Sequence, residues 1–143
     1  MPFETAFAAA NAAAIAGWAA LLAAPFLPRA ADAIAGAAIP LLLSIAYAGL
    51  ILAFWSRADG GFDSLAAVMQ LFDTAPIALA GWIHYLAFDL LVGAAIVRGA
   101  RTASIPFALV VPCLVLAFLF GPAGFLAFAA LRWSRAARSA AGA

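Results

Sequence analysis

The sequence predicts an all-α membrane protein: a four-transmembrane-helix bundle with a short amphipathic helix between the second and third spans. Three observations predict it. The chain of 143 residues is 69% hydrophobic and only 9% charged, whereas a soluble domain carries roughly 25% charged residues to dress its surface. Mean hydropathy is +1.16. The apolar residues fall into four long continuous runs without the period-two alternation of a membrane barrel. That leaves helices, the other structure that satisfies its backbone in lipid. The four runs fill the chain, so residues 1–143 read as a single integral-membrane helical domain.

The first run, Thr5–Leu27, follows an acidic leader, Met1–Glu4. A cleaved signal peptide has a basic leader, so this helix is expected to be retained. Pro28–Asp32 reads as a tight connection, with Pro28 as breaker and Asp32 as N-cap of the next helix. The second run is Ala33–Trp55. A longer connection follows, with the turn signal Asp59-Gly60-Gly61. Within it, Leu65, Val68, Met69 and Phe72 recur at helical spacing, which reads as an amphipathic helix over Ser64–Phe72 on the membrane surface or a re-entry segment. The third run, Pro76–Val97, ends at Arg98 and Arg101, where positive charge suits the carbonyl end of a helix. The fourth, Ile105–Leu131, contains Pro112 and Gly121-Pro122, which should bend or break it. Arg132, Arg135 and Arg138 close the chain. Each run reaches the ~20 residues that a span requires.

An even number of spans puts both termini on one face together with Arg57, Arg132, Arg135 and Arg138. Arg29, Arg98 and Arg101 fall on the other. The positive-inside rule then leans towards both termini in the cytoplasm.

The most informative segment is Gly81–Gly93, which carries the only His, a Tyr and an Asp inside an apolar run. An ionisable group at that depth is costly and marks a functional site by default. Counting from Pro76, Asp89 lies roughly 18–20 Å along its helix, near the bilayer middle. Trp82, Tyr85 and Asp89, spaced i, i+3 and i+7, share a face. His84 is about 140° from Asp89 around the helix and does not pair with it directly. It borders the same cavity only if other helices enclose both sides. Asn11, Ser44 and Tyr47 add polar groups from the first two helices. Their plain role is interhelical hydrogen bonding, worth roughly 0.6–2 kcal/mol each. A carboxyl taken out of water is a candidate general acid, so Asp89 is the expected catalytic group, with His84 or Tyr85 as relay.

Other chemistries are excluded. No His, Cys and carboxylate cluster has metal-ligand spacing, and no phosphate loop or nucleophile elbow occurs. No metal or cofactor is expected. A net charge of +1 with no basic patch gives no case for nucleic acid. The lone Cys113 excludes an intramolecular disulfide.

The run Ala80-Gly-Trp-Ile-His-Tyr-Leu-Ala-Phe-Asp-Leu-Leu-Val-Gly93 resembles the signature of the small integral-membrane family of plant neoxanthin synthase, the abscisic-acid-deficiency-4-like family. Val111–Phe125 resembles its second block. Weaker echoes are Asn11 and Trp18, Pro40 and Tyr47, and Gly61-Phe62 with Leu65. The resemblance covers nearly the whole chain in block order. It implies carotenoid chemistry: opening of an epoxide to an allenic alcohol, an isomerisation that needs an acid and a base but no redox cofactor. Asp89, His84 and Tyr85 would carry the proton transfers, and Asn11, Trp18, Tyr47 and Trp82 would line the pocket. The short, alanine-rich, lysine-free chain without a transit peptide looks like a bacterial inner-membrane protein, so the plant substrate does not transfer with the fold. Expected partners are membrane lipids, a carotenoid or other isoprenoid, and a second copy in a homo-oligomer. The alternative is a small proton-coupled transporter, or a non-catalytic assembly or pigment-binding protein, with Asp89 as the coupling carboxylate in the first case.

Overall fold

The computed structural model describes residues 2–141, and these are helical with short connections. The elements are α1 (Pro2–Leu22), α2 (Pro28–Ala33), a π-helical turn (Ile34–Ala38), α3 (Ile39–Phe54), a 3₁₀ turn (Trp55–Arg57), α4 (Leu65–Phe72), α5 (Ala75–Thr102), α6 (Phe107–Phe120) and α7 (Pro122–Ala141).

Three stretches are long and apolar enough to cross a membrane: Phe3–Leu22, Pro28–Arg57 and Ala75–Thr102. The second is α2, the π turn, α3 and the 3₁₀ turn run together. Pro40 explains the π turn, because it has no N–H to give Gly36 and its ring crowds that carbonyl. The helix begins at Pro28, whose fixed φ suits a first helical position. Asp32 is therefore inside the helix and not its N-cap; its carboxylate accepts from the Arg101 guanidinium at 2.5 Å, with Arg98 at 3.9 Å.

The helix α5 is the hub against which α1, α3, α6 and α7 pack. One apolar cluster lies between α1, α5, α6 and α7, around Leu21, Leu90, Val110, Leu114 and Phe128. A second lies between α1, α3 and α5, around Ala14, Leu43, Leu79 and Ile83. In the connection from α3 to α5, the Ser64 hydroxyl accepts the Ala67 N–H at 3.1 Å and starts α4. This helix buries Leu71 and leaves Leu65, Met69 and Phe72 exposed.

The run Ile105–Leu131 is not a fourth span. It breaks at Gly121 into α6 and α7, and the chain doubles back. Two positions on α5 fix the geometry. Gly121 lies against Asp89, at mid-length of α5, whereas Phe128 and Arg132 lie against Gly99, near its C-terminal end. So α6 descends antiparallel to α5 for about 21 Å, turns beside Asp89, and α7 climbs back alongside. The hairpin is tight because a Cβ at Gly124 would collide with the backbone of Ala117. A consequence is that α7 leaves beside the C-terminal end of α5. The start of α1 and the end of α7 therefore lie at opposite ends of the central helix. The expectation of both ends on one face fails because it assumed an even number of crossings.

Candidate functional site at the hairpin tip

Helical spacing on α5 places Trp82, Tyr85 and Asp89 on one edge, which the other helices bury at Asp89, half-cover at Tyr85 and leave exposed at Trp82. Asp89 is the only polar or charged residue buried among the described residues, at 7% exposure, and its Oδ2 has no hydrogen-bond partner there. Gly121 has φ +35°, and a Cβ on it would strike the Asp89 carboxylate. Glycine is thus required twice at this point, by its backbone angle and by the carboxylate against it.

The break that lets the hairpin turn also frees backbone groups. The last carbonyls of a helix have no partner within it. The Leu119 carbonyl, two residues before the turn, accepts the Tyr85 hydroxyl at 3.2 Å. Tyr85 thereby holds the tip at Leu119, and Asp89, one turn on, lies against Gly121. Irregular backbone at this depth is tolerated only where protein or a cavity covers it.

The polar edge continues towards α1. The Tyr85 ring stacks on Trp82 at 5.3 Å between centroids. Trp82 Nε1 donates to Asn11 Oδ1 at 3.2 Å, and Asn11 Nδ2 donates to the Phe7 carbonyl at 2.8 Å. Further along, the Trp18 ring lies over Gly93, one turn beyond Asp89, and meets Phe118 edge-on at 5.5 Å. Beside that contact a groove of about 280 Å³ runs between α1 and α6, lined by Ile15, Trp18, Ala19, Leu22, Leu114, Val115 and Phe118. Every lining residue is apolar except for the indole nitrogen of Trp18.

His84 and Tyr47 are elsewhere. The 140° between His84 and Asp89 turns His84 towards α3, where its ring stacks on Phe88 at 4.5 Å and meets Tyr47 at 5.6 Å. These two line a separate cleft of about 260 Å³ beside α4, with Trp55, Phe62 and Phe72 among its walls. The two polar centres do not share a cavity, and His84 is not placed to relay protons for Asp89. Ser44 closes locally on the Pro40 carbonyl at 2.7 Å.

Leu119 and Gly121 are the site members that residue-by-residue reading missed. Gly121-Pro122 is visible as a breaker, but nothing in its neighbours says that it stops beside Asp89. No group of three or more His, Cys, Asp or Glu side chains able to hold a metal occurs among the described residues.

A polytopic helical membrane protein with three long spans, a helical hairpin and a buried carboxyl at its tip is the class these features define. The chain belongs to the ABA DEFICIENT 4-like family, whose model matches residues 5–128. That match takes in the first span from Thr5 onward, the second and third spans whole, the hairpin turn and every residue of the tip. No curated protein and no solved structure matches the chain.

Proposed function

We propose that this protein binds a carotenoid or related isoprenoid in the groove between α1 and α6 and rearranges its polar end group by acid–base catalysis at Asp89. One observation carries the reading: an apolar groove lined by Trp18 and Phe118 flanks α6, the helix whose end at Gly121 rests on a buried carboxyl with an unpartnered Oδ2. A mostly apolar cleft with few convergent polar groups is what such a ligand requires. The resemblance to the family of plant neoxanthin synthase favours carotenoids among the apolar ligands of that shape.

The chemistry balances on one carboxyl. Asp89 carrying a proton gives it to the end-group oxygen, and the C–O bond breaks with its electron pair going to oxygen. The carboxylate so formed takes a proton from the neighbouring carbon, a double bond forms, and the enzyme returns to its first state. Tyr85 orients the tip through Leu119 and stands beside the reacting group. His84 takes no part in this step, and its aromatic cleft under the amphipathic α4 is a separate feature.

The test is expression in a carotenoid-producing host followed by pigment chromatography. A changed pigment profile that disappears in Asp89→Asn and persists in His84→Ala supports the reading. Unaltered pigments across epoxy- and keto-carotenoid backgrounds, with none co-purifying, overturn it. A second reading draws on the same broken hairpin, since discontinuous helices meeting at the midplane form the sites of transporters. A proton-coupled transporter would show proton-linked flux in liposomes, lost in Asp89→Asn, and leave pigments unchanged.

A further inference from the structure

The hairpin redistributes the charges of the chain. By returning α7 to the C-terminal end of α5, it brings Arg132, Arg135 and Arg138 to the end that already carries Arg98 and Arg101. Arg29 joins them, because Asp32 of the same short helix is held by Arg101. Among the described residues, that end has six arginines against one carboxylate, Asp32, a side-chain charge of +5. The opposite end has one arginine, Arg57, against Glu4, Asp59, Asp63 and Asp73, a side-chain charge of −3. A four-span arrangement would have divided the same arginines four to three.

We propose that the arginine end is a docking surface for the anionic phospholipid head groups of the cytoplasmic leaflet. The chain then sits with the start of α1 and the α4 connection outside, and the end of α7 inside. Three physical points support this. Basic residues flanking spans are held on the cytoplasmic side, and a six-to-one division is far from balanced. Anionic lipid attracts juxtamembrane Lys and Arg. A guanidinium also matches phosphate oxygens in pairs, which lysine does not, and every basic side chain in the protein is Arg.

The surface also has room for the lipid below its head group. A cleft of about 240 Å³ opens beside Arg101, between Pro25 and Pro28 on one side and Val97, Ile105 and Phe107 on the other. Its walls are apolar and a cation stands at its rim, the arrangement that a phospholipid presents in reverse. The proposal concerns the arginine end alone and stands whether or not Asp89 is catalytic.

Three exposed serines make the test nearly isosteric: Ser56 at the acidic end, and Ser104 and Ser134 at the basic end. Cys113 is buried and stays in place as a silent background. Ser56→Cys, Ser104→Cys and Ser134→Cys are labelled one at a time with a membrane-impermeant maleimide, in intact spheroplasts and in inverted vesicles. The expected result is Ser56→Cys labelled only in spheroplasts and both others only in inverted vesicles. The reverse pattern overturns the orientation, and labelling of Ser104→Cys and Ser134→Cys from opposite sides overturns the hairpin on which it rests. The lipid arm uses the full chain in nanodiscs of phosphatidylcholine with or without phosphatidylglycerol. Phosphatidylglycerol should raise the melting temperature, and the rise should vanish when Arg29, Arg132 and Arg138 are all changed to Gln but survive Arg57→Gln. No rise, or a rise retained in the triple variant, overturns the docking surface. Should the triple variant not fold, single Arg→Gln changes at those positions each reduce the rise, and a full rise in all three counts against it.

Discussion

The three spans and the hairpin are built from equally apolar sequence and do opposite things. In α5, 28 residues run unbroken for about 42 Å, and between its ends the helix needs nothing from its surroundings to satisfy its backbone. Residues 105–131 are as apolar, yet they reach half as deep and return. The difference lies in one dipeptide, Gly121-Pro122: Pro removes an N–H and Gly adopts φ +35°. Hydropathy therefore decides which residues enter the apolar layer, and a backbone break decides whether they leave by the far side. The break exposes polar backbone, so it has to be met by side chains from a span. Tyr85 meets it at the Leu119 carbonyl.

The comparison breaks most sharply at Gly121. Gly121→Val places a branched side chain at positive φ and drives it into the Asp89 carboxylate. Strain of about 1–3 kcal/mol from the backbone alone adds to the collision, so a large fall in thermal stability in detergent is expected. Asp89→Ala in the same chain should restore part of the loss; no restoration would mean that the collision is not its cause. A smaller effect is expected at the second tether. Tyr85→Phe removes the bond to the Leu119 carbonyl and should cost about 1 kcal/mol, read as a lower melting temperature and faster proteolysis near residue 121. Protection unchanged from wild type would show that the tip holds without it. The smallest effect belongs to the spans themselves. Trp82→Phe keeps the ring stack on Tyr85 and loses the bond to Asn11, for which about 0.6 kcal/mol is the measured scale in membranes. A loss larger than that of Tyr85→Phe would reverse the ranking and make the α1–α5 contact the more demanding one.

Much of this was legible from residue types. Apolar run length located α1, α3 and α5, and the 3.6-residue period put Trp82, Tyr85 and Asp89 on one edge and His84 away from them. The hairpin was not legible, because a kinked span and a returning pair of half-length helices have the same composition and the same breaker. What separates them is a close approach seven residues apart, Gly124 on Ala117, that exists only after folding. The Asp32 interaction with Arg101 was hidden for a related reason. An Asp four residues after a Pro reads equally well as a cap or as a charge inside the helix, and its partner lies 69 residues away.

The order of the chain gives the hairpin tip a further property. A half-depth helical pair with a polar apex has no stable place in lipid by itself. Its receiving surface, with Tyr85, Asp89 and the Trp18 face of α1, is complete before residue 107 is synthesised. Synthesis runs from the N-terminus, so a nascent α6 meets a finished template, and the apex is covered as it forms. Moving the same hairpin to the front of the chain would keep every contact in the folded protein and remove that protection during its making.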